Sequence, residues 1–229
     1  VNNSIKNNFS TWKEGNDIFI NVPETKAQKD LIIIDRKDAP QSTLYLGLPV
    51  IDPSDPNYIK LSVTNTLLGG YFSSRITTNI REDKGYTYSP RSQISSRYRS
   101  AYYLQVADVS TDVTAAALKE IFYEINHLQD EAPTEEELNG VKNYIAGIFV
   151  LQNSSPNAII NQLNYVDLHN LNNDYLNTYV KQIYSVTPEE IKETASKYLK
   201  DKEMTLVIVG DEAKVKKQLS EYGELKFIE

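Results

Sequence analysis

The stretch from Asn79 to Pro90 holds Arg81 and Tyr88 seven residues apart, with Gly85 between them. Arg81 falls where a helical pattern ends and Tyr88 where strand-like alternation begins. Gly85 supplies the backbone freedom to reverse between them, so the two side chains can converge on one point. A guanidinium and a phenolic hydroxyl form a donor pair, suited to holding a peptide carbonyl and to stabilising the negative oxygen that develops when that carbonyl is attacked. They supply no nucleophile. A purely structural explanation also exists: Arg81 complements a helix C-terminus, and a strand tyrosine is ordinary packing. On residue types alone this explanation is the simpler one.

Other catalytic chemistry finds little support. The chain has no cysteine, which removes disulfides and thiolates together. Its two histidines, His127 and His169, lie in different helical stretches and read as surface or capping residues. His127 has Glu131 four residues on, a spacing that could chelate on a helix face, but Pro133 follows at once. No serine sits in a nucleophile-elbow context. Gly69 and Gly70, in Leu67-Leu68-Gly69-Gly70-Tyr71, suit a tight turn between helices better than a phosphate cradle. Their backbone bordering a substrate chamber is the functional alternative. Tyr86 shares a face with Tyr88 only if no bulge intervenes, so it is a secondary candidate.

The elements that must position these residues follow from patterning. Residues 17–23, 30–35 and 42–50 read as strands, the third alternating Leu44, Leu46 and Leu48 toward one side. A helix is expected from about Asn57 to Leu68, stopped by the glycine pair. A shorter helix carries Phe72, Ile76 and Ile80 up to Arg81. Residues 85–98 and 100–109 then read as paired strands. The second part of the chain is helical, with an apolar stripe through Ala117, Leu118, Ile121, Phe122, Ile125 and Leu128. Helix starts are marked by a capping box at Thr134 and Glu137, by Ser155-Pro156, and by Thr187-Pro188 with Glu190. Residues 204–211 read as a buried strand, followed by a small helix and a terminal strand at 224–229. The class is α+β, a mostly antiparallel sheet with helices packed on one face. Residues 1–15 form a polar lead-in and 16–229 a single domain.

With 229 residues and 40% hydrophobic content the chain can bury a core of its own. A net charge of −7 without a like-charge run points to neither nucleic acid nor anionic lipid. No apolar run reaches membrane-span length, and Val1 opens a polar segment unlike a signal peptide, so the chain reads as a soluble piece of something longer.

Residues 67–90 together resemble the corresponding segment of the pitrilysin or insulinase (inverzincin) family of zinc metallopeptidases, which includes mitochondrial processing peptidase. Leu68-Gly69-Gly70, Ser73-Ser74-Arg75-Ile76, Ile80-Arg81-Glu82 and Gly85 to Tyr88 carry the likeness. It extends through the Thr134 helix start to residues 186–199 and 204–211, from about Ser42 to Asp211. The resemblance implies a chamber built from two homologous halves, one holding zinc through His-x-x-Glu-His, the other reaching across with an arginine and a tyrosine. No His-x-x-Glu-His occurs here. The chain is thus similar to the zinc-less half of a peptidase, as part of one polypeptide or as a partner subunit in a dimer. Zinc is then expected on the homologous zinc-bearing half and not on this chain. Arg81 and Tyr88 are expected to bind peptide substrate and stabilise the tetrahedral intermediate, with Tyr86, Gly69 and Gly70 as further substrate contacts. A catalytically inactive structural or peptide-binding subunit is the alternative. An Asn-, Lys- and Tyr-rich composition fits a low-GC bacterial source, with cytoplasm and cell envelope both open.

Overall fold

A computed structural model describes residues 1–13, 15–16, 21–219 and 226–228. Helix α1 (Asn2–Phe9) precedes the sheet and buries none of its side chains. Six strands then order as β3-β4-β2-β5-β1-β6: β1 (Leu31–Asp35), β2 (Gln41–Val50), β3 (Arg91–Arg97), β4 (Ser100–Ser110), β5 (Thr205–Gly210) and β6 (Lys226–Ile228). The pairings of β3 with β4, β4 with β2, and β2 with β5 are antiparallel, while β1 lies parallel to both β5 and β6. The strand expected at 17–23 falls partly outside the described residues, and Asn21–Pro23 form no strand. Of the expected terminal strand only Lys226–Ile228 is described.

Period-two alternation decides which face is covered. Leu44, Leu46 and Leu48 on β2, Tyr103 and Ala107 on β4, Leu206 and Ile208 on β5, and Leu31 and Ile33 on β1 all enter one core. Ile34, Tyr45 and Tyr102 point the other way and remain over a third exposed. The covering layer is α2 (Tyr58–Asn65), α4 (Thr114–Asp130), α5 (Glu135–Gln152), α7 (Tyr175–Ser185), α8 (Pro188–Tyr198) and the short α9 (Glu212–Gln218), with α6 (Pro156–Leu168) flanking it. The expected α4 stripe is buried at every position except the half-buried Phe122. A helix the sequence reading did not separate, α7, starts after Asn170, which adopts a left-handed φ of 51° and ends α6.

The predicted caps form, with one difference. Thr187 and Glu190 make both halves of a capping box, and Ser155 accepts from the N–H of Ala158. Thr134 accepts from Glu137 N–H, but the Glu137 carboxylate does not return to the cap. It takes a two-pronged ion pair from Arg75, with Nε to Oε1 at 2.7 Å and Nη2 to Oε2 at 2.8 Å. That pair is worth more than a cap bond and ties α5 to the segment before Arg81.

Candidate functional site

Two wide turns build the site. Helix α2 runs on into a π-helical turn over Thr66–Gly70, and the three-residue α3 (Arg75–Thr77) into another over Thr78–Asp83. Such turns hold one residue more than an α-helical turn and are frequent at functional positions. The first is shaped by close approach: a Cβ on Gly69 would stand 2.7 Å from Ser92 Oγ and 2.9 Å from Gln105 Oε1. Only glycine lets this turn lie on β3 and β4. The second turn is anchored by Asn79, whose amide donates to Glu124 at 2.7 Å and Glu120 at 3.1 Å. Lys84 reaches the same Glu120 at 3.7 Å.

After Asp83 the chain reverses at Gly85, whose φ is +66°. The N–H of Gly85 donates to the Arg81 carbonyl at 3.2 Å and that of Tyr86 to the Ile80 carbonyl at 2.8 Å. Thr87 then pairs with Val109, and Arg91 with Val106. Between the same two pairings this strand spends one residue more than β4, which is a bulge. Pro90, buried within it, has no N–H to give the ladder. The strand expected from residue 85 therefore starts only at Arg91, and Tyr88 stands ahead of it, 80% exposed.

This path brings Arg81 and Tyr88 together. The guanidinium carbon lies 5.1 Å from the Tyr88 ring centroid and 4.5 Å from that of Phe72, within cation–π range of both. Glu82 takes its Nε at 3.2 Å. Its two terminal nitrogens have no partner among the described residues. Arg81, Phe72 and Tyr88 line a cleft of about 280 Å³ together with Gly69, Gly70, Ser89 and Arg91. Arg91 alternates with the inward Ser92, so the cleft joins the uncovered face of the sheet at its β3 edge.

Four of the five site residues read from sequence thus border one cleft: Arg81, Tyr88, Gly69 and Gly70. Tyr86 does not line it; it is half-buried against the core. Phe72 and Arg91 were missed. Phe72 sits four residues before Ile76 and mimics a helix stripe, yet the helix starts only at Arg75, leaving Phe72 63% exposed over the guanidinium. Arg91 carried no signal beyond following Pro90.

The histidines divide. His127 is exposed and meets Glu131 at 3.2 Å. His169 caps α6 as read, but is only 3% exposed, and burial pushes its pKa below the ordinary value. Among the described residues no three His, Cys, Asp or Glu side chains gather where a metal ion could be held. The residues described do not fit a zinc site.

A mixed sheet covered by helices on one face, with an arginine within cation–π range of two aromatic rings, defines the class: an α+β domain. The chain belongs to the family described as the peptidase M16 inactive domain, which matches residues 1–145. It is 26% identical over 221 residues to a non-peptidase homolog, YmxG, of Helicobacter pylori, covering 94% of this chain and 49% of that protein. It is also 26% identical over 170 residues to an uncharacterized zinc protease of Streptomyces coelicolor, covering 74% of this chain and 37% of that one. The chain therefore spans half or less of the length of these curated relatives. Among solved structures, a peptidase M16 inactive domain from Pseudomonas fluorescens superimposes with a TM-score of 0.78 at 26% identity, covering 84% of this chain and 46% of that one. No helix among the described residues is long and apolar enough to cross a membrane.

Proposed function

We propose that this chain is the non-zinc-binding half of a zinc metallopeptidase, closing a chamber over an extended peptide and offering Arg81 and Tyr88 to its backbone. The observation that carries the reading is the state of Arg81. Its guanidinium lies within cation–π range of the Phe72 and Tyr88 rings, its Nε meets Glu82, and its two terminal nitrogens have no partner among the described residues, beside a cleft that Arg81 lines. Planar, permanently charged and fixed before a carbonyl arrives, such a fork needs little reorganisation when negative charge grows on that oxygen. The Tyr88 hydroxyl is a second donor on the same side. Gly69 and Gly70 place backbone, without side chain, along the peptide's path. Residues 16–229 are the half-domain in this reading, and 1–15 a lead-in.

Zinc, and the water it activates in metallopeptidases, belongs to the homologous half. This chain binds the peptide, orients it and donates hydrogen bonds. A second reading, an inactive structural or peptide-binding subunit of the same fold, is favoured by the Helicobacter pylori relative named a non-peptidase homolog. Cleavage of an unstructured peptide separates the two. It should be measured with this chain alone, with its zinc-bearing mate alone, and with both. Activity confined to the mixture supports the shared site, and no activity from a formed complex supports the scaffold.

A further inference from the structure

The helical layer contains a second cavity whose chemistry the peptidase reading does not use. It measures about 340 Å³ and opens between α2, α5, α6 and α7. Tyr58, Phe149, Tyr165, Tyr175 and Tyr179 supply its aromatic wall. The ring centroids of Phe149 and Tyr179 are 4.6 Å apart, those of Tyr175 and Tyr179 5.6 Å, and those of Tyr165 and Tyr175 6.3 Å. The Tyr58 hydroxyl is fixed 2.9 Å from Ser96 Oγ. Burial raises the pKa of all four tyrosines, that of Tyr179 to about 12. Neutral rings held at tilts of 31° to 52° like these present electron-rich faces without a fixed charge.

A third cavity of about 410 Å³ adjoins it, sharing Tyr58, Ile59 and Tyr175. Asp55 and Asp174 line this one. Asp55 is held in place, its Oδ1 accepting from Asn57 N–H at 2.7 Å and from the Asn57 amide at 3.1 Å. The Asp174 carboxylate has no partner among the described residues. Among the described residues neither cavity is lined by a lysine, arginine or histidine, although Arg99 donates to Ser54 of the adjoining one at 2.8 Å. A neutral apolar ligand would satisfy the rings and ignore the carboxylates, whereas an anion would meet two like charges. An alkyl body ending in a cation satisfies both parts.

We infer that this aromatic cavity, with Asp55 and Asp174 at its margin, binds an organic cation with an alkylammonium or guanidinium head. The cation is a free amine or a basic side chain presented on a peptide backbone. None of the lining residues belongs to the Arg81 cleft, so the site stands whether or not the chain serves in a peptidase.

The test is a titration of the intact protein, read by methyl NMR of Ile59, Ile145 and Ile148, which line the cavity. The probes are n-butylammonium, N-acetyl-lysine methylamide and neutral butanol. Saturable shifts of these methyls with either cation are expected, with butanol about three- to tenfold weaker. Comparing the two cations identifies the source. Asp174→Asn, an exposed substitution that leaves the spectrum of the free protein intact, should weaken n-butylammonium by about threefold or more. Absence of shifts with both cations overturns the inference. So does butanol binding as tightly as the ammonium, or an affinity indifferent to Asp174→Asn.

Discussion

Arg81 and Tyr88 position one another: the guanidinium carbon stands 5.1 Å from the phenol centroid, within cation–π range of the ring. Substitutions can therefore separate stacking from donation. Tyr88→Phe keeps the ring and removes only the hydroxyl. Arg81→Lys keeps the charge and removes the planar fork.

On the peptidase reading proposed above, Arg81→Ala in the enzyme reconstituted from both halves should lower kcat/KM by about 10²- to 10³-fold, the usual cost of losing an oxyanion donor. Arg81→Lys should recover only a small part of this, and Tyr88→Phe should fall between. Melting temperature and assembly with the zinc-bearing half should not change, because Tyr88 is exposed and Arg81 borders the cleft. Unchanged turnover in both Arg81→Ala and Tyr88→Phe would leave the scaffold reading standing.

Gly69→Ala should destabilise the fold by about 1–3 kcal/mol, the cost of overpacking. The new methyl would lie 2.7 Å from Ser92 Oγ and 2.9 Å from Gln105 Oε1, with Ser92 Cβ at 3.0 Å. Ser92→Ala should rescue only part of the loss, since Gln105 and the Cβ remain. Chemical denaturation of the single and double variants measures both statements.

Acid should weaken the start of α8. The Glu190 carboxyl is held below its ordinary value of 4.5, first by the Thr187 backbone N–H and then by Lys60. Folding thus favours its charged form. The stabilisation is complete above about pH 4.5 and fades as pH falls through the lowered value. Glu190→Gln should cost about 1 kcal/mol or less at pH 7, since the groups are about a third exposed and screened. The difference from wild type should shrink toward pH 3, which urea midpoints across that range would show.

Local chemistry was the legible part of this chain. Alternation in β2, the α4 stripe and the caps at Thr134, Ser155 and Thr187 each depend on residues within a few positions of one another. What escaped depends on distant partners. Arg75 claims the Glu137 carboxylate from 62 residues away, so a motif that reads as a full capping box forms only in half. Phe72 left its apparent stripe because no helix exists there to carry it. His169 is buried beside Tyr165, four residues before it, with ring centroids 4.7 Å apart at a tilt of 58°. The Arg81–Tyr88 pairing was readable as a spacing, but the bulge that sets Tyr88 apart from Tyr86 was not.

The wide turn over Thr78–Asp83 makes the cleft sensitive to chain length as well as to side-chain identity. A single deletion there would let the backbone relax into a regular helix, and each residue of such a helix advances by about 100°. The turn itself absorbs the extra residue, so its loss would leave the flanking segments in register and remove only the wide turn. A homologous chain that kept an arginine, a glycine and a tyrosine in the same order but lost one residue between Thr78 and Arg81 would lose the wide turn, and with it the backbone path that brings Arg81 to the cleft.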